Sequence, residues 1–151
     1  MNKSGLILVC ERRNKLVSTA IAVFSQSKYT HTAQTIMING LLCIIESRLK
    51  QGVYIIEFER WKQKYKQKFE VFDVGLNEIK FEAQAIGLAG SGYDLLLFGS
   101  HAHDAIKKGE QLLLNNKSKF TCSELTATFL GLDNPHRYRP VDIYNYLKNK
   151  P

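Results

Sequence analysis

The sequence has no long hydrophobic run: no apolar stretch approaches the ~20 residues that a membrane-spanning helix requires, so no such helix is expected. Near the start, "LILVC" (6–10) is too short for the core of a signal peptide and charge follows at once. That pattern predicts a cytoplasmic protein, with export by another route left open. Cysteine is sparse and unpaired. The three residues Cys10, Cys43 and Cys122 are an odd number with no CxxC pair, which argues against a disulfide framework or a zinc site and predicts reduced thiols, no metal and no cofactor. Repeats, linkers and low-complexity tracts are also missing. A chain of 151 residues then reads as a single domain over 1–151, able to bury roughly two thirds of the surface its unfolded form exposes.

What is present begins with charge. The net charge of +7 makes anionic partners conceivable, although no recognisable nucleic-acid motif accompanies it. The densest basic stretch is "RWKQKYKQK", which starts at Arg60 and ends at Lys68, with Trp61 and Tyr65 four residues apart on one helix face. One reading is a solvated helix that packs through its aromatics. The other is a contact surface for an anionic polymer or lipid surface.

Apolar periodicity predicts strands at 6–10, 30–38, 41–47, 52–58 and 69–74, and helices at 15–25, over the basic segment, at 77–88, from Cys122, and from Pro140, which sits at a first helical position. Between the second and third strands lies Asn39-Gly40, a strong hairpin signal because both central residues of a type I′ turn need positive φ. The glycine-rich "GLAGSGYD" (87–94) interrupts the 77–88 helix and opens a new element, and the apolar "LLLFG" after it reads as strand or helix. Strands clustered in the middle with helices before and after predict an α+β fold with a mainly antiparallel sheet packed with helices.

Two constellations carry chemistry. In "KFTCSELTATFLGL" (119–132), Thr121 and Glu124 have the spacing of a capping box, which makes Cys122 the first helical residue. Backbone N–H groups and the helix dipole favour a thiolate there, while a buried packing cysteine is the plainer alternative. In the hairpin, a two-residue turn sets Ile38 against Leu41, and the same register sets His31 against Arg48 and Ala33 against Glu46. His31 and Glu46 then share a face as diagonal neighbours, about 7–8 Å apart at the backbone and within reach of a glutamate side chain. A carboxylate on one imidazole nitrogen leaves the other for a nucleophile; equally, Glu46 can pair with Arg48 and no chemistry follow. Elsewhere, "HAHD" (101–104) holds metal-ligand types without a third partner, and His136, Arg137 and Arg139 lie in a polar loop.

"SKYTHTAQ" (27–34), "CIIES" (43–47), "GYDLLLFG" (92–99) and "FTCSELTATFLGL" (120–132), in this order, resemble the circularly permuted papain-like hydrolases of the NlpC superfamily, above all the YiiX/YaeF-like group. "RPVDIYNYL" (139–147) is similar to that group's closing motif, so the resemblance spans nearly the whole chain. It departs where Gly5 is followed by Leu6 instead of aspartate, and where "HTA" follows the family's histidine position. The resemblance implies a papain-like α+β fold, Cys122 as nucleophile, His31 as base, Glu46 as its orienting acid and Tyr93 near the oxyanion. It implies a cysteine hydrolase or acyltransferase acting on an amide, either a cell-wall peptide or an N-acyl, lipid-like substrate, through a thioester acyl-enzyme. The alternative is a catalytically silent module of the same fold that binds wall, lipid or polyanion.

Overall fold

The computed structural model describes residues 1–12, 19, 22, 26–94 and 118–150. The helix expected at 15–25, the apolar run at 95–99 and the "HAHD" stretch lie wholly or mainly outside the described residues. Within them the order is β1 (Ile7–Glu11), β2 (Tyr29–Ile38), β3 (Leu41–Arg48), β4 (Gly52–Glu57), α1 (Phe58–Tyr65), β5 (Phe69–Phe72), α2 (Glu78–Leu88), α3 (Cys122–Phe129), a short 3-10 turn (Pro135–Arg137) and α4 (Pro140–Asn149). The five strands form one sheet in the order β4-β3-β2-β1-β5, every neighbouring pair antiparallel. This is the α+β arrangement expected from the sequence.

Side-chain alternation divides the core between the two faces of the sheet. Leu8, Cys10, Ala33 and Ile44 point to one face and pack with Phe58, Trp61 and Tyr65 of α1. Ile36, Cys43 and Ile45 point to the other, against Phe81 and Ala85 of α2 and Leu125 and Phe129 of α3; Ile7 and Val9 meet Ala127 of α3 and Ile143 and Leu147 of α4. Because α1 joins one edge strand, β4, to the other, β5, it crosses the whole first face. Its aromatics recur at i, i+3 and i+7 and all turn inward; each contributes roughly 1.5–3 kcal/mol when fully buried. Among the described residues no helix is long and apolar enough to cross a membrane.

The turns follow their residues. Asn39 and Gly40 both take positive φ (50° and 78°), as a type I′ hairpin demands, and the register expected from that turn holds from Ile38↔Leu41 to Gln34↔Ile45. The basic helix is shifted from its expected bounds: it begins at Phe58 and stops at Tyr65, because Lys66 turns left-handed (φ 46°) and its N–H closes on the Lys62 carbonyl. The fifth strand stops at Phe72, short of residue 74, where Asp73 accepts from the Gly75 N–H and bends the chain. Gly52 is required by close approach, since a Cβ there would sit 2.1 Å from the Ser91 carbonyl oxygen, at φ +66°.

Candidate active site

The site begins where the β2–β3 ladder ends. Past Gln34↔Ile45 the backbone pairing of the two strands ends, and Thr32 and Ser47 turn polar groups to the segment 120–122. Thr32 Oγ1 donates to the Cys122 carbonyl at 2.9 Å, Ser47 Oγ donates to the Phe120 carbonyl at 2.6 Å, and the Thr32 backbone N–H hydrogen-bonds the Cys122 sulfur. Behind them Gln34 Nε2 donates to Thr126 Oγ1 at 2.5 Å, and Thr126 Oγ1 donates to Thr32 Oγ1 at 2.7 Å, a polar column that pins α3 to β2. The oppositions expected from the hairpin, His31 with Arg48 and Ala33 with Glu46, therefore fall beyond the paired ladder. The start of the cysteine helix packs against this end of the pair.

That start has the expected cap. Thr121 Oγ1 accepts from the Glu124 N–H at 3.2 Å and Glu124 Oε2 accepts from the Thr121 N–H at 3.3 Å, leaving Cys122 as the first helical residue. On its other side the glycine-rich segment is stitched in by backbone: Val53 N–H to Ser91 O at 2.7 Å, Phe120 N–H to Gly92 O at 2.9 Å. Tyr93 and Asp94 are carried with it. Tyr93 lies within electrostatic reach of Cys122 and Arg48; burial, then the Cys122 charge, push its hydroxyl above the ordinary tyrosine range.

His31 and Glu46 meet as the shared face predicts. His31 Nε2 and Glu46 Oε2 are 2.6 Å apart, and both side chains are buried. With Nε2 engaged, the second ring nitrogen is the one available to the Cys122 thiol, to which His31 is hydrogen-bonded. Burial opposes the Cys122 thiolate, but the charge and hydrogen bond of His31, the Thr32 N–H and the charge of Arg48 outweigh it, so the thiol lies below its ordinary pKa. Burial and Arg48 oppose the imidazolium, yet Cys122 and Glu46 prevail and His31 lies above its ordinary value. The remaining cysteines differ: burial pushes both the Cys10 and Cys43 thiols upward.

Glu46 is the most heavily contacted group of the site. Besides His31 it accepts from Arg48 Nε (2.6 Å), Trp61 Nε1 (3.0 Å) and the Tyr54 hydroxyl, and it is 0% exposed. Burial alone would raise its pKa; His31 and Arg48 reverse that and hold it at about 2. Arg48, Tyr54 and Trp61 were not singled out as site residues from sequence. Tyr54 was within reach of such reasoning, since it is the cross-strand partner of Glu46. Trp61 was not, because its role depends on α1 crossing the sheet. Nearby, burial and Asp94 raise Glu124 to about 7 against the Thr121 N–H. Among the described residues no group of three His, Cys, Asp or Glu side chains has metal-holding geometry. The outer side of α1 and the segment after it expose Arg60, Lys64, Lys66 and Lys68, while Lys62 pairs with Glu59 at 2.8 Å.

An antiparallel sheet covered by helices on both faces, with a thiol at a helix start seated against a strand histidine, is a papain-like α+β architecture. Among solved structures the chain is similar to one described as metalloprotein YiiX from Escherichia coli O157:H7, with a TM-score of 0.63 and 23% sequence identity. The likeness covers 84% of this chain and 63% of that one, so this chain spans under two thirds of its neighbour's length; at this identity the likeness shows the fold. No family model matches the chain, and no curated protein matches it.

Proposed function

We propose that this chain is a cysteine hydrolase or acyltransferase of the permuted NlpC kind, acting on an amide carbonyl of a cell-wall peptide or an N-acyl, lipid-like substrate. The supporting observation is one continuous chain of polar contacts: a thiol lowered in pKa against an imidazole, and that imidazole against a carboxylate held ionised down to about 2. In this reading the Cys122 thiolate adds to the acyl carbon, and the negative charge moves to the carbonyl oxygen. The Cys122 backbone N–H, unused by the helix ladder at its first position, and the Tyr93 hydroxyl meet that oxyanion. As the C–N bond breaks, the His31 imidazolium gives its proton to the departing amine, leaving a thioester. Water or an acceptor amine then loses a proton to His31 and attacks the thioester, which returns the thiolate–imidazolium pair. Glu46 holds the ring by Nε2 throughout.

The metal in the neighbour's description has less support in this chain. Glu46 is filled by four donors and His31 Nε2 is committed to it, which leaves, among the described residues of the site, a sulfur and one imidazole nitrogen, short of the three protein ligands a catalytic zinc takes. The silent-module reading draws on the exposed cations from Arg60 to Lys68, whose partner would be an anionic polymer or lipid surface. Alkylation by iodoacetamide from pH 4 to pH 10, read by intact mass, separates the two. The expected result is single labelling with an apparent pKa below that of a free thiol, lost in Cys122→Ala and retained in Cys10→Ala and Cys43→Ala. Equal labelling of all three variants, or titration like free cysteine, overturns the hydrolase reading.

A further inference from the structure

Arg48 holds a place in the site that the Cys122, His31 and Glu46 chain does not explain. Its side chain is 16% exposed, and its contacts fix one orientation. Nε donates to Glu46 Oε1 at 2.6 Å, Nη2 donates to Gln67 Oε1 at 3.2 Å, and the guanidinium carbon lies 3.7 Å from the centre of the Tyr65 ring. Tyr65 shares a 2.5 Å hydrogen bond with Tyr54, whose hydroxyl also reaches Glu46 Oε1. A planar guanidinium stacked and hydrogen-bonded in this way is pre-organised as lysine is not.

The two oxygens of Glu46 thus face two cations, Arg48 on Oε1 and His31 on Oε2. A buried carboxylate facing a histidine alone would stabilise the imidazolium without counterweight, and a base that holds its proton too firmly returns it poorly. We propose that Arg48 is a positioning residue of this site: by binding the Glu46 oxygen that His31 leaves, it balances the carboxylate so that His31 can release and retake a proton while the Cys122 thiolate persists. The inference rests on the hydrolase reading and deepens it.

Among the described residues, seven titratable groups surround Arg48: Glu46 on β3, His31 on β2, Cys10 on β1, Tyr54 on β4, Tyr65 on α1, Cys122 on α3 and Tyr93 in the glycine-rich segment. Lys64 adds a cation over the outer side of the Tyr54 and Tyr65 rings. Burial pushes Cys10, Tyr54 and Tyr93 upward and keeps them neutral. With Glu46 ionised down to about 2, the groups whose charge the thiolate–imidazolium pair turns on are His31 and Cys122, while Glu124, raised to about 7 by burial and Asp94, titrates nearby at the Thr121 cap and is common to every Arg48 variant. The Arg48 charge lowers both.

Removing that charge should therefore move both limbs of the thiolate–imidazolium window to higher pH. The test compares Arg48→Gln and Arg48→Met with Arg48→Lys in the full chain. Iodoacetamide rate against pH reads the thiol, and NMR titration of His31 in a Cys122→Ala background reads the imidazole. Both neutral variants should shift both limbs upward, with the alkylation rate on the acidic limb falling tenfold for each pH unit moved, and Arg48→Lys should restore most of it. A purely structural role predicts the opposite for His31: loss of the oriented carboxylate would lower its titration. Limbs that stay in place or move down, or a lysine variant no better than methionine, overturn the proposal, as does failure of both neutral variants to fold. If wild-type Cys122 proves unreactive while the His31 titration still rises in Arg48→Gln, the hydrolase reading fails and the Arg48 assignment stands.

Discussion

Replacing Glu46 by glutamine keeps the shape of the side chain and removes its charge. In the wild type the carboxyl titrates at about 2 against an ordinary 4.5, so the unfolded chain binds the extra proton between those values and stability rises with pH across that window. The difference of about 2.5 pH units, at about 1.4 kcal/mol each, amounts to about 3 kcal/mol of stabilisation, fully present above pH 5 and lost as pH falls toward 2. Glutamine offers one acceptor oxygen where the site supplies four donors. Whichever way it turns, its amide N–H groups face either Arg48 Nε or Trp61 Nε1. Breaking a buried ion pair in this manner costs about 3–5 kcal/mol, in line with the figure from linkage. Trp61 is the sole tryptophan and donates to Glu46 at 3.0 Å, so its fluorescence reports directly on the region during urea unfolding. Measured from pH 2 to pH 7, Glu46→Gln should be less stable than wild type by about 3 kcal/mol at neutrality, with the gap closing toward pH 2. A gap that is absent, or constant over the whole range, would refute the account of Glu46 as a charge held by His31 and Arg48.

Glu124 gives the opposite slope. Its folded value of about 7 lies above the ordinary 4.5, so its contribution is complete below pH 4.5 and fades as pH rises through 7. Glu124→Gln preserves the acceptor for the Thr121 N–H, and the same unfolding series should show that alkaline decline removed. On the surface, Arg60→Glu with Lys68→Glu reverses two exposed charges. It should cut retention on anionic vesicles or a polyanion column and flatten the salt dependence, while iodoacetamide labelling of Cys122 is unchanged; equal retention would count against the basic face as a contact surface.

How far the sequence could be read depended on the range of each interaction. The Asn39-Gly40 turn and the Thr121/Glu124 cap are specified within four residues, and both stand in the structure where local chemistry puts them. From that turn, simple alternation placed His31 and Glu46 on one face as diagonal neighbours, and they meet there, although the expected oppositions of His31 with Arg48 and Ala33 with Glu46 fall beyond the paired ladder. Arg48 appeared from sequence only as a rival partner for Glu46; in the structure it binds that carboxylate together with His31. Trp61 was legible as a packing aromatic, but its hydrogen bond to Glu46 follows from the path of α1 across the sheet, a tertiary fact with no local pattern. The basic segment shows the same limit. Its inward aromatics were predictable from spacing, whereas its early end at Lys66 is a left-handed turn that a lysine does not announce.

The contacts of 120–122 with β2 and β3 also bear on the order of folding. His31 and Glu46 are 15 residues apart and joined by a tight hairpin, a contact that forms at low entropic cost. Thr32 and Cys122 are 90 residues apart, so the thiol takes its seat only after loop closure over most of the chain. The hairpin can therefore pre-assemble His31 and Glu46 while the cysteine is still distant and its pKa that of an ordinary thiol. Activation of Cys122 becomes a late event of folding, and the rate at which refolding chains acquire iodoacetamide sensitivity at low pH would time the closing of the site.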